Sequence, residues 1–129
     1  MSERQHIGSG TTWEALYGYS RAVRVGKVVY VAGTVASDAA GQVVGLNDPE
    51  AQTRFVIQKI EKALNEAGAT LNDVVRTRMF VTDISQSDKF GRAHGEFFAD
   101  IRPVATMVEV SSLIAPEYLI EIELEAAIS

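Results

Sequence analysis

The stretch Ile101-Arg-Pro-Val-Ala-Thr-Met-Val-Glu-Val-Ser-Ser-Leu-Ile-Ala-Pro-Glu-Tyr-Leu-Ile-Glu-Ile-Glu-Leu-Glu-Ala-Ala-Ile-Ser129 decides the fold. Its two alternating runs, Ala105–Val110 and Leu119–Ile128, read as strands separated by a Pro-containing turn. Side chains alternate faces along a strand, so Ile120, Ile122 and Leu124 share one side of the last run. Glu121, Glu123 and Glu125 share the other. A row of carboxylates is ordinarily a solvated face. The competing reading is that one of these glutamates lines a site.

Working outward, Val74–Val81 forms a further strand, preceded and followed by helices. The first helix has Asp48 as N-cap, Pro49 at its first position and Glu50 at the positive end of its dipole. Ala51, Phe55, Ile60, Ala63, Leu64 and Ala67 recur at helical spacing, and Gly68 stops it. The second helix runs from about Ser87 to Ala99 and must end before Pro103. Upstream, Tyr19–Val25 and Val28–Ala32 read as a hairpin turning at Gly26-Lys27, and Gln42–Val44 as a short third strand. Residues 1–16 read as a loose arm that Trp13 and Leu16 pin to the body.

The resulting order, βββαβαββ, implies one α+β domain over residues 1–129, a mixed sheet with both helices on one face. Val31, Met79, Val81, Ile120 and Ile122 then need cover, either from the helices or from further copies of the sheet.

Composition narrows the function. The chain has 129 residues, 47% of them hydrophobic, enough for a packed core. A net charge of −5 without a basic patch disfavours nucleic acid; the longest basic cluster is Arg21, Arg24 and Lys27. The absence of cysteine removes disulfides, thiolate zinc sites and a cysteine nucleophile. His6 and His94 lack ligand spacing, so no metal is expected. No phosphate-binding glycine motif suggests a nucleotide cofactor, and none is expected. The N-terminus does not read as a signal peptide and no apolar run suggests a membrane span, so a soluble cytoplasmic protein is expected. Arg76 and Arg78 share one strand face and Glu121 and Glu123 another, a pattern suited to charge pairing across a subunit boundary.

Pro103-Val-Ala-Thr-Met-Val-Glu-Val110 followed by Ile120-Glu-Ile-Glu123 resembles the C-terminal signature of the Rid, or YjgF-like, family. The likeness extends through Tyr19–Gly33, Val74–Asp83 with its Phe-Val-x-Asp end, and Glu96-Phe-Phe98. It implies a chorismate-mutase-like fold that assembles as a homotrimeric barrel, with small-molecule clefts between subunits. It implies hydrolysis of reactive imines or enamines such as 2-aminoacrylate. In that chemistry a glutamate at the position of Glu121 positions a water, and a tyrosine at the position of Tyr19 and backbone at Gly33 line the cleft. An arginine clamps the substrate carboxylate, and here that position is Ala105, followed by Thr106 and Met107. Glu121 is thus the expected catalytic residue, and Tyr19, Gly33, Ala105, Thr106 and Met107 the expected substrate-binding set. Without the clamp, ordinary 2-iminoacid deamination is expected to be weak or absent. The alternatives are an altered substrate, a trimer that binds a metabolite without turnover, or rescue by Arg24 or Arg102. The ribonuclease label often attached to this family is disfavoured by the charge and the lack of a His pair.

Overall fold

A computed structural model describes residues 3–129. Six strands form one mixed sheet: β1 (Arg4–Ile7), β2 (Ala22–Val25), β3 (Val28–Thr34), β4 (Val74–Val81), β5 (Val104–Glu109) and β6 (Ile120–Ala127). Their spatial order is β1-β2-β3-β6-β4-β5. Only β4 and β5 pair in parallel, and the connection between them carries helix α3 (Ser87–Phe98). Helix α2 (Pro49–Glu66) joins β3 to β4, and a short α1 (Thr12–Tyr17) lies between β1 and β2.

The long helix begins as its sequence dictates: the Asp48 side chain accepts from the Ala51 N–H at 3.1 Å. It ends before Gly68, whose φ of 85° suits a residue without a Cβ. Val56, Ile57, Ile60 and Leu64 pack from α2 against Val29, Val31, Met79, Val81, Ile120, Ile122 and Leu124 of the sheet. All five sheet positions that needed cover are therefore buried within this chain. The helices supply that cover, so this apolar set does not call for a partner copy.

The opposite face is polar. Arg78 pairs with Glu123 at 3.2 Å and with Glu125 at 3.3 Å. These residues are neighbours in one sheet because β4 and β6 are adjacent, with Arg78 opposite Glu123 in register. The charge pairing expected across a subunit boundary is thus intrachain for Arg78.

Two sequence expectations need correction. Residues 4–7 are not part of a loose arm: they add an edge strand to β2, with Ile7 opposite Ala22 and buried. Backbone pairing and Ile7 tie this segment down, whereas Trp13 and Leu16 stay exposed and Trp13 stacks on Tyr17. Gln42–Val44 is not a sheet strand; Val43 makes only an isolated bridge to Ser37. Three residues beside a glycine turn are too few to join the sheet, and the chain instead doubles back over Ala36, where the Val44 N–H donates to the Ala36 carbonyl at 2.9 Å.

Candidate functional site

The site is built where β3 and β6 meet irregularly. Their pairing slips between Val31 and Thr34, a bulge that re-aims the Ala32-Gly33 backbone. Glu121 of β6 packs its carboxylate directly on Gly33, so a Cβ there would overlap Glu121 Oε2. Gly33 is required for this close approach. A buried amide anchors the run into β6: Gln52 Nε2 donates to the Glu117 carbonyl at 2.9 Å, and Gln52 Oε1 accepts from the Leu119 N–H at 2.8 Å. That fixes Tyr118 and Glu121.

A cleft of about 380 Å³ opens here, lined by Trp13, Tyr19, Arg21, Gly33, Tyr118 and Glu121 among others. Arg21 precedes β2; its N–H donates to the Ile7 carbonyl at 2.8 Å, and its carbonyl accepts from Ala32 at 3.0 Å. Its guanidinium Nη2 donates to the Gly33 carbonyl at 2.6 Å. Nε is buried without a hydrogen-bond partner, and the guanidinium carbon lies 6.0 Å from the Tyr19 ring centroid. Lys59 reaches the same wall from α2, donating to the Val35 carbonyl at 3.1 Å and to Ser37 Oγ at 2.9 Å.

The electrostatics follow from burial. Burial pushes the Glu121 carboxyl above its ordinary value, Arg21 opposes the rise, and Glu123 adds to it. Burial lowers the Lys59 ammonium, and the Arg21 charge lowers it further. Burial also lowers the Arg21 guanidinium, against the pull of Tyr19, Glu14 and Glu121. The Glu14 carboxylate is engaged elsewhere, accepting from the Ser9 N–H at 3.0 Å and from Thr11 Oγ1 at 3.2 Å.

The structure therefore brings Tyr19, Gly33 and Glu121 together. It places Ala105, Thr106 and Met107 on β5, an edge strand of the sheet, and none of them lines this cleft within one chain. Ala105 and Thr106 are exposed, whereas Met107 packs against the core beside Met79. Neither Arg24 nor Arg102 points into the cleft. Arg24 donates to the Gly26 and Ala67 carbonyls, both at 2.8 Å, and Arg102 bends back to the Ala99 carbonyl at 3.3 Å. The cations present are Arg21 and Lys59, which sequence reasoning did not place there. Arg21 carried a signal: it lies two residues after Tyr19, the spacing that repeats a face in extended chain. Lys59 carried none, because only the packing of α2 brings it to the residues that follow β3.

His94 is held structurally, sharing a 2.9 Å hydrogen bond with Thr77 Oγ1 and packing on Phe98. His6 shares one with Ser20 Oγ at 2.9 Å on β1. Among the described residues no cluster of three or more His, Cys, Asp or Glu is arranged to hold a metal ion, and no helix is long and apolar enough to cross a membrane.

A mixed six-stranded sheet with its helices on one face and a cleft beside a bulge defines a recognisable class of α+β domain. The family model described as Endoribonuclease L-PSP matches residues 10–128, and the chain belongs to that family, also called YjgF, RutC or Rid. It is 37% identical over 105 residues to the RutC family protein PYRAB12510 of Pyrococcus abyssi, covering 81% of this chain and 82% of the relative. Among solved structures it is similar to Rv2704 of Mycobacterium tuberculosis, a member of the YjgF/YER057c/UK114 family, with 50% identity, a TM-score of 0.89 and coverage of 98% and 100%. It also resembles the Rid family protein YyfA of Yersinia pestis, at 30% identity, a TM-score of 0.86 and the same coverage.

Proposed function

We propose that the cleft takes a small reactive imine or enamine and that Glu121 holds and activates the water that hydrolyses it. The carrying observation is a half-buried carboxylate, raised above its ordinary value, pressed on Gly33 and facing no ion-pair partner among the described residues. A carboxyl poised closer to neutrality can take a proton from water and return it to the departing nitrogen. Attack of water on the imine carbon makes the C–O bond; collapse of the carbinolamine expels ammonia and leaves the carbonyl. Tyr19 and the Gly33 backbone line the space for the substrate.

In this reading the protein is a cytoplasmic homotrimer. The exposed β5 strand, with Ala105 and Thr106, meets a neighbouring copy at its cleft and so completes the substrate-binding set. Ala105 contributes no charge or donor there, which is the ground for expecting a substrate that differs from simple 2-iminoacids.

The test generates 2-aminoacrylate from serine with a pyridoxal-phosphate dehydratase and follows 2-iminopropanoate with semicarbazide, beside a panel of imines without a carboxylate. On whichever imine is turned over, Glu121→Gln should lower the rate by about 10²–10⁴-fold. An unchanged rate removes Glu121 from the mechanism. The missing donor at Ala105 favours a second reading, a metabolite-binding trimer without turnover. It predicts ligand-dependent thermal stabilisation with no substrate consumed.

A further inference from the structure

A second cavity, about 410 Å³, adjoins the cleft and shares Arg21 and Lys59 with it. It runs between α2 and the Ile7–Thr11 segment, with an apolar side formed by Ile7, Phe55 and Ala63. Arg21, Lys59, Ser37 and Thr11 line both this cavity and the cleft. Lys62 adds a third cation to the second cavity alone.

Two cations on one wall repel each other, and burial makes each costly unless it is paired. Neither is paired. Arg21 is only 9% exposed, keeps a buried Nε with no acceptor, and has no carboxylate at ion-pair distance among the described residues. Lys59 spends two donors on Val35 and Ser37 and likewise makes no ion pair. Glu14, Glu121 and Asp38 lie near enough to ease the two charges but form no ion pair with them. Glu14 is taken by Ser9 and Thr11, and Asp38 Oδ1 accepts from the Ala40 and Gln42 N–H groups, both at 2.9 Å. Glu66 also lines the cavity but makes no ion pair with the three cations. Glu121 faces the cleft and not this cavity.

We propose that the second cavity binds an organic monocarboxylate. Its carboxylate takes the free N–H donors of Arg21 and Lys59, and its apolar body lies against Phe55, Ile7 and Ala63. A planar guanidinium beside an ammonium suits a carboxylate, and the apolar wall excludes a small hydrophilic anion as the best occupant. The site stands on geometry independent of turnover at Glu121.

Phenylacetate and its neutral isostere phenylacetamide are the probes, titrated into the full chain and followed by ¹H–¹⁵N NMR. Phenylacetate should bind about tenfold or more tightly than the amide, since only the acid makes charge-assisted hydrogen bonds. Lys59→Gln should remove most of that preference. Ala39→Trp adds bulk at an exposed position lining only the second cavity and should abolish binding; Ile114→Trp obstructs only the cleft and should leave it. Each variant's spectrum reports whether the fold persists. Equal affinity for acid and amide, no binding of either, or loss with Ile114→Trp and retention with Ala39→Trp overturns the proposal. Because no readout uses turnover, any of these results leaves the Glu121 reading standing.

Discussion

The two ends of β6 carry the same chemistry and have opposite fates. Glu121, Glu123 and Glu125 share one face of one strand. At the far end, Glu123 and Glu125 flank Arg78, and all three remain substantially solvated. At the near end, Glu121 lies beside a bulge, on a glycine, with its proton affinity raised by burial. Alternation assigns a residue to a face but not to a neighbour. What separates these glutamates is the partner opposite: β4 presents Phe80 to Glu121 and Arg78 to Glu123.

Three changes test that contrast. The largest effect is expected from Gly33→Ala. The added methyl must push the Glu121 carboxylate aside, and because that group is the end of a side chain, the backbone need not move. Hydrolysis should fall by about a hundredfold or more, as for loss of the carboxylate itself, while the thermal unfolding midpoint changes little. A fully active Gly33→Ala variant would show that this close packing does not matter to the site.

A smaller effect is expected in stability against pH. Glu121 has a folded-state pKa raised above its unfolded value, so the native state binds the extra proton between the two. The cost of ionising Glu121 therefore develops as pH rises through the folded pKa and is absent below the unfolded one. Glu121→Gln should be the more stable protein at neutral pH, with its advantage shrinking as pH falls towards the ordinary carboxylate value of 4.5. Differential unfolding curves across that range check it; an advantage that grows on acidification contradicts the sign. The smallest effect belongs to the other end. Arg78→Ala should cost only about 0–1 kcal/mol and be insensitive to cleft ligands, because its ion pairs are solvent-screened. Denaturant titration measures this, and a loss of several kcal/mol would mean that the polar face is structurally critical.

The elements legible in the sequence were those whose information is local. Asp48, Pro49 and Gly68 bracket α2 by capping chemistry, and the alternation in Ile120–Ala127 marks β6 and its buried face. The N-terminal strand escaped because Arg-Gln-His-Ile carries one apolar residue and is held by pairing with β2. Gln42–Val44 misled because it has strand composition without a neighbour to pair with beyond one bridge. In the site, Tyr19, Gly33 and Glu121 came through resemblance, and the structure gathers them at one cleft.

By itself, then, the sequence determined the α+β composition, the main helices and strands, and which side of β6 is oily. Those follow from periodicity and capping, which act over a few residues. Only the tertiary structure decided that Arg21 and Lys59 share a wall and that Arg24 does not. It also decided that the three glutamates of β6 differ, and that Ala105 sits on the edge strand β5, away from the cleft that Tyr19 lines. Those facts depend on strand order, a register slip and helix packing, and they bring together residues as distant in the chain as Arg21 and Glu121.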